Sequence, residues 1–448
     1  MAGSLIALVA SAGAQCLDPS MSSKGKDEMP SFSDKGDYSR VGDLLDQLVA
    51  SKKLPGASAL VLRDGRQVYY HQTGMQDVET DTPVERDTLF RIFSMTKPVT
   101  AASIMVLVDD GTLRLDDPVS KYVPELSNLG VFAGSDADGI QTLPAGTMTI
   151  RNLLTHTAGF TYWFQPQFTY WDQAKTPVAA LYDTELGAGR FEPWRFDPEY
   201  GGLDGLAAAL ARVPLLSQPG EKWHYSLALE VAGLVVERAS GETLDAFMKA
   251  RIFDPLDMGD TGFQVAPDDA ARLASVYATN AFGGIEVVEK GMDSPLLQDV
   301  PGLSGGGGLV STIDDYARFA DMLRNGGELD GHRVLSSQSV KDMMTNQLKP
   351  EQLDELPLLA LFGLGGNGDG MGFGLGGAVV VDAEQAAAPA PEGEYSWGGA
   401  ASTTFWVDPA NGLVVVFMTQ LIPPSNEMLR DKLHVAIYGA DSSGSCDP

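Results

Sequence analysis

Phe93-Ser94-Met95-Thr96-Lys97-Pro98-Val99-Thr100-Ala101-Ala102-Ser103-Ile104-Met105-Val106-Leu107-Val108-Asp109-Asp110 decides how this 448-residue chain is read. After its first polar residues the stretch is apolar almost all round, which predicts a buried helix over Ser94–Asp110. Gly111 is placed to stop it, and Pro98 lies near its start, where a missing N–H costs least. On such a helix Ser94 and Lys97, three residues apart, share a face. A serine hydroxyl is a weak nucleophile and needs an adjacent base. A free lysine, with a pKa of about 10.4, is mostly a cation at neutral pH. Burial in a dry cleft lowers that value and makes the amine a usable base. The backbone N–H groups at a helix start also favour a developing oxyanion. The same S-x-x-K spacing at Ser23–Lys26 falls in a polar stretch with no helix to carry it and reads as accidental.

Working outward, Val41, Leu44, Leu45, Leu48 and Val49 repeat at helical spacing, so a helix begins near Ser39 and ends at Leu54-Pro55-Gly56. Ala57–Arg63 and Arg66–Gln72 are β-rich runs joined by Asp64-Gly65, a strong hairpin signal. From the Ser94 helix to about residue 290 the pattern is mainly helical, with long aromatic and Pro-rich connections. Thr312 is placed to cap a helix through Leu323. Strand patterns return at Leu375–Val381, Glu394–Trp397, Thr403–Val407 and Leu413–Thr419, and a closing helix runs from Ser425 to about Ile437. The class is therefore α+β: one antiparallel sheet built from both chain ends and flanked by helices, with a mainly helical insertion. The expected organisation is a flexible leader over 1–37, an α/β lobe from 38–90 and 291–448, and a helical lobe over 91–290. A site would lie in the cleft between the lobes.

Composition narrows the function. Asp and Glu number 60 against 31 Lys and Arg, a net charge of -29, so nucleic acid is excluded as a natural partner and an anionic membrane surface is disfavoured. Leu5–Val9 with Ala12-Gly13-Ala14 is similar to the tail of a secretory signal with an A-x-A cleavage site, although it lacks a basic n-region. It points towards the periplasm or secretion, with the cytoplasm as the alternative, and is too short to span a bilayer. Cys16 and Cys446 sit outside any CxxC pair. The histidines at 71, 156, 224, 332 and 434 lack metal spacing, and His156 and His224 read as structural.

Further motifs stand in order along the chain: Tyr225-Ser226-Leu227 after Gly220-Glu221-Lys222-Trp223-His224, and Trp397-Gly398-Gly399 on a strand near the end. Leu153-Leu154-Thr155-His156-Thr157-Ala158-Gly159-Phe160 lies before the first of these, and Gly306-Gly307-Gly308-Leu309 lies between the two. With Ser94-Met95-Thr96-Lys97, this ordered set over Val41–Tyr438 resembles the serine β-lactamase and penicillin-binding protein superfamily, in its class C branch, and most of all family VIII carboxylesterases. The resemblance implies a β-lactamase/transpeptidase-like fold. It implies an acyl-enzyme on Ser94, proton transfer by Lys97 and Tyr225, and an oxyanion hole made by the Ser94 and Ala400 N–H groups. It implies no cofactor and no metal.

Two departures from that pattern bear on substrate. Lactamases and peptidases of the superfamily usually carry asparagine where Leu227 stands, and lysine and threonine where Trp397 and Gly398 stand. The asparagine serves a substrate amide and the lysine a substrate carboxylate, so their loss favours neutral, short-chain esters as the small-molecule substrate. A β-lactamase or D-alanyl-D-alanine carboxypeptidase, and a non-catalytic sensor relative, remain as alternatives. Trp397, Gly398, Gly399 and Leu227 are candidate substrate-binding residues. So are Tyr162 and Trp163, from the run Phe160, Tyr162, Trp163, Phe164, Phe168, Tyr170 and Trp171, which would line an apolar pocket or pack under a loop. Gly302-Leu303-Ser304-Gly305-Gly306 matches a G-x-S-x-G elbow but is followed by more glycine instead of a helix, so Ser304 is a poor rival nucleophile. The glycines from Gly363 to Gly377 lack the βαβ setting of a nucleotide site.

Overall fold

Strand alternation at both chain ends produces one sheet. In the computed structural model, residues 37–137, 139–162, 176–187, 191–192, 195–196, 200–280, 283–300, 302–353, 368–422 and 429–439 are described. The leader, Trp163 and the aromatic residues after it, Gly363, Cys16, Cys446 and the Ser425 start of the closing helix lie outside them. Strands β1 (Gly56–Arg63), β2 (Arg66–Asp77) and β3 (Thr82–Pro83) come from one end of the chain. Strands β4 (Met371–Phe373), β5 (Ala378–Val380), β6 (Tyr395–Gly398), β7 (Thr404–Asp408) and β8 (Leu413–Thr419) come from the other. They form an eight-stranded sheet in the order β4-β5-β6-β7-β8-β1-β2-β3, and every neighbouring pair is antiparallel. The ends join where β1 pairs with β8, from Ala57 opposite Thr419 to Arg63 opposite Leu413. Asp64 and Gly65 turn the first hairpin with φ of 50° and 74°, the left-handed pair that matches strand twist.

Period-two alternation sorts the sheet into two faces. Ala57, Ala59, Val61, Val415 and Phe417 pack with helix α1 (Ser39–Ala50) and the closing helix Leu429–Tyr438, through Val41, Leu45, Leu48 and Leu433. Leu60, Val414, Val416 and Met418 belong to the large core on the opposite face. Helix α2 (Thr96–Asp109) runs through that core and is buried at every position from Thr96 to Leu107, as its all-round apolar sequence requires. Helix α3 (Ala228–Ser240) lies in the same core. Helix α4 (Ile313–Arg324) is capped by the Thr312 side chain, which accepts from the Asp315 N–H.

Between residues 91 and 290 the chain is less uniformly helical than its pattern suggests. A hairpin of Gly130–Asp136 and Gly139–Pro144 interrupts it, as does the pair Val276–Thr279 and Ile285–Glu289. The first hairpin is exposed along most of its second strand, so its residues carry little of the apolar alternation that marks a half-buried strand. Among the described residues no helix is long and apolar enough to cross a membrane.

Candidate active site

Ser94 sits in a 3₁₀ turn, Phe93–Met95, that feeds directly into α2. The α-helix proper therefore begins at Thr96, two residues later than its apolar pattern implies. Phe93 has φ of 44° and is buried, a left-handed conformation that a bulky residue adopts only under constraint from its surroundings. The Met95 N–H closes the turn on the Ile92 carbonyl at 3.0 Å.

Three polar groups meet at this turn. Lys97, one turn along, donates to Ser94 Oγ at 3.1 Å. Tyr225, on the segment entering α3, donates to Ser94 Oγ at 2.7 Å. Lys97 also donates to the Gly306 carbonyl at 2.6 Å, and its ammonium lies 4.8 Å from the Tyr225 ring centroid. Burial brings the Lys97 pKa down to about 7, against a smaller upward pull from the charge of Glu230. The same burial pushes the Tyr225 phenol well above its ordinary value, with the Ser94 and Trp397 side chains pulling the other way. Near neutral pH the phenol is thus held protonated, while the amine is poised to exchange its proton.

An aromatic box encloses Tyr225. Its ring lies 4.8 Å from His156, 5.4 Å from Tyr162, 5.5 Å from Trp397 and 6.3 Å from Trp223. Phe373 closes the back against Trp397, at 5.2 Å and perpendicular. His156 accepts the Ser226 N–H at Nδ1, 3.2 Å away, so it braces the residue after Tyr225. Burial and the Lys97 charge lower the His156 pKa well below its usual value and keep the imidazole neutral. Trp397 and Leu227 are both fully buried. The indole stands behind Tyr225 as part of its packing, and Leu227 precedes α3 at its N-cap position.

The turn after β6 approaches the nucleophile segment closely. A Cβ at Gly399 would fall 2.4 Å from the Ile92 carbonyl oxygen and 2.3 Å from Thr403 Oγ1, so this contact requires glycine. The Gly399 N–H donates to the Thr403 carbonyl at 2.8 Å, and the Ser402 N–H donates to the Gly399 carbonyl at 3.0 Å. Ser402 takes a φ of 67° to make the turn. Ala400 is at its exposed tip, one residue beyond the Gly399–Ile92 contact. Gly398 ends β6 opposite Thr404. Trp163 lies outside the described residues.

Reading the sequence did not single out Glu230. It sits in the first turn of the apolar helix α3, where an acidic residue reads simply as a favourable charge on the helix dipole. It is fully buried, accepting the Ser304 hydroxyl at 2.8 Å and the Gly306 N–H at 2.9 Å. Ser304 is thereby committed to a carboxylate and is itself fully buried.

Comparison with known proteins identifies the family. The Beta-lactamase family profile matches residues 41–440. Protein Rv1367c of Mycobacterium tuberculosis is 36% identical over 371 residues, covering 83% of this chain and 86% of its own. Esterase EstB of Burkholderia gladioli is 34% identical over 300 residues, covering 64% of this chain and 69% of its own. Among solved structures EstCE1, described as a hydrolase with promiscuous acyltransferase activity, superposes with a TM-score of 0.73 at 28% identity, over 90% of this chain and 98% of its own. A motif set in family order, a sheet built from both chain ends and a family match over nearly the whole described chain establish that this protein belongs to the Beta-lactamase family.

Proposed function

We propose that this protein is a serine esterase that cleaves neutral, short-chain carboxylic esters through an acyl-enzyme on Ser94. The observation that carries the reading is the approach of Lys97 and Tyr225 to one hydroxyl, at 3.1 and 2.7 Å. Neutral Lys97 takes the Ser94 proton as Oγ attacks the ester carbonyl. The oxyanion develops against the N–H groups of Ser94 and Ala400. Tyr225 passes its proton to the departing alkoxide and recovers one from Lys97, and water then releases the acid by the reverse relay. A phenol raised by burial suits the donor role better than that of resting base, and an amine lowered to about 7 suits the base. The apolar residues at Leu227 and Trp397 support an uncharged substrate. The similarity to EstB, an esterase, supports ester chemistry over lactam chemistry, and the similarity to EstCE1 supports hydrolysis.

The test compares kcat/KM for p-nitrophenyl acetate and butyrate with that for nitrocefin and a D-Ala-D-Ala peptide, in the wild type and Ser94→Ala. The expected outcome is ester turnover exceeding nitrocefin turnover by orders of magnitude, and loss of both turnover and fluorophosphonate labelling in Ser94→Ala. Nitrocefin turnover at or above the ester value would promote a lactamase reading, and labelling that persists at Ser304 would overturn Ser94.

A further inference from the structure

The glycine run after Ser304 is held between two helices by polar contacts from both sides. From α2, Thr96 Oγ1 accepts the Leu309 N–H at 3.1 Å, Lys97 donates to the Gly306 carbonyl, and Thr100 donates to the Gly305 carbonyl at 2.6 Å. From α3, both Glu230 oxygens are occupied, one by the Ser304 hydroxyl and one by the Gly306 N–H. The Gly306 residue therefore stands between Glu230 and Lys97, its N–H towards the carboxylate and its C=O towards the ammonium. Only glycine fits there, because a Cβ at 306 would lie 2.5 Å from Glu230 Oε1.

We propose that Glu230 is a positioning residue for Lys97: it anchors Gly306 by its N–H so that the Gly306 carbonyl holds the Lys97 Nζ beside Ser94. The inference rests on Lys97 serving Ser94 as base. An isolated carboxylate buried this deeply is costly unless paired and hydrogen-bonded, and here its partners are the loop that orients Lys97. Among the described residues, the other titratable groups around Lys97 are phenols and an imidazole. Burial keeps Tyr162 and Tyr225 protonated and His156 neutral. Glu230 is thus the carboxylate, among the described residues, whose charge acts on Lys97, and burial raises its own pKa to about 7.

The sign follows. A nearby negative charge favours the ammonium, so removing it lets Lys97 lose its proton at lower pH. The experiment is the pH profile of kcat/KM for p-nitrophenyl butyrate in the wild type, Glu230→Gln, Glu230→Asp and Ser94→Ala. Glu230→Gln is expected to move the midpoint of the acid limb down by about one pH unit and to lower kcat with KM little changed, since Glu230 does not face substrate. Glu230→Asp, which keeps the charge on a shorter arm, is expected to keep the wild-type midpoint with a reduced kcat. It tests the inference even if the glutamine variant fails to fold. An inactive Ser94→Ala beside a Glu230→Gln midpoint that stays put or rises would overturn this inference alone, as would an aspartate variant that shifts as far as the glutamine one. A Ser94→Ala enzyme with full turnover would overturn the Ser94 reading and this inference with it.

Discussion

Replacing Gly399 by alanine tests whether the turn after β6 is part of the reaction site. The added methyl would meet the Ile92 carbonyl oxygen at 2.4 Å and Thr403 Oγ1 at 2.3 Å, where ordinary contact begins near 3.4 Å. The threonine hydroxyl can rotate away, but the Ile92 carbonyl is fixed by the Met95 N–H that closes the Ser94 turn. The two backbones must therefore separate by about 1 Å, and a misplacement of that size costs on the order of 10²-fold in rate. Losing one oxyanion donor outright costs about 10²–10³-fold. We expect kcat for p-nitrophenyl butyrate to fall about 10²-fold, with Lys97 and Tyr225 untouched and the pH midpoint unchanged. Gly370→Ala is a matched control. Its Cβ would fall 2.2 Å from the Asp382 carbonyl oxygen at a φ of 71°, before β4 and against the Asp382–Ala386 turn. It should lower the melting temperature without lowering kcat. A Gly399→Ala enzyme with wild-type kcat, or a kcat loss of equal size in Gly370→Ala, would refute the assignment of the oxyanion site to this turn.

Three further substitutions probe the proton relay and its packing. Lys97→Ala and Tyr225→Phe should each lower kcat by about 10²-fold or more, with a double variant far less impaired than the product of the two, because both groups serve one hydroxyl; multiplicative losses in steady-state kinetics would exclude a shared relay. Trp397→Lys replaces a fully buried indole with an ammonium beside Tyr225. It should lower the melting temperature, since emptying an aromatic site alone costs about 3–5 kcal/mol, and it should reduce ester turnover at least tenfold without creating nitrocefin turnover. Full ester activity in that variant would show that the box around Tyr225 plays no part.

What the sequence discloses follows the range of the contacts. Ser94 and Lys97 meet within one turn, so their spacing alone predicts the pair. Both halves of the sheet were legible because strand alternation is local, and the Asp64-Gly65 turn declared its own hairpin. The meeting of Tyr225 with Ser94, 131 residues away, leaves no periodic trace; family likeness pointed to it. Glu230 escaped notice for the same reason: its partners are Ser304 and Gly306, 74 and 76 residues on, and nothing local distinguishes it from a helix-start acid. The glycines from Gly305 to Gly308 read as a loop, whereas their lack of side chains is what lets the loop lie against α3. Trp397 is a candidate substrate-binding residue in the sequence, and its indole is fully buried against Tyr225 and Phe373.

That burial sharpens the case for neutral substrates. A lysine at 397 and an asparagine at 227 would set a cation and an amide near the tyrosine; in this chain both positions are apolar and closed to solvent. Lys97 is engaged by Ser94 and Gly306 and, as the proposed base, would act uncharged. A substrate carboxylate brought to this box would lose its hydration without gaining a partner, at a cost of several kcal/mol. The net charge of -29 adds a long-range repulsion for anions, although salt weakens it beyond about 10 Å. A neutral ester meets neither penalty. Its carbonyl needs the two proposed N–H donors, and its leaving group needs one proton from Tyr225. In the proposed reaction, selectivity for esters would come from what the box around Tyr225 withholds from charged substrates.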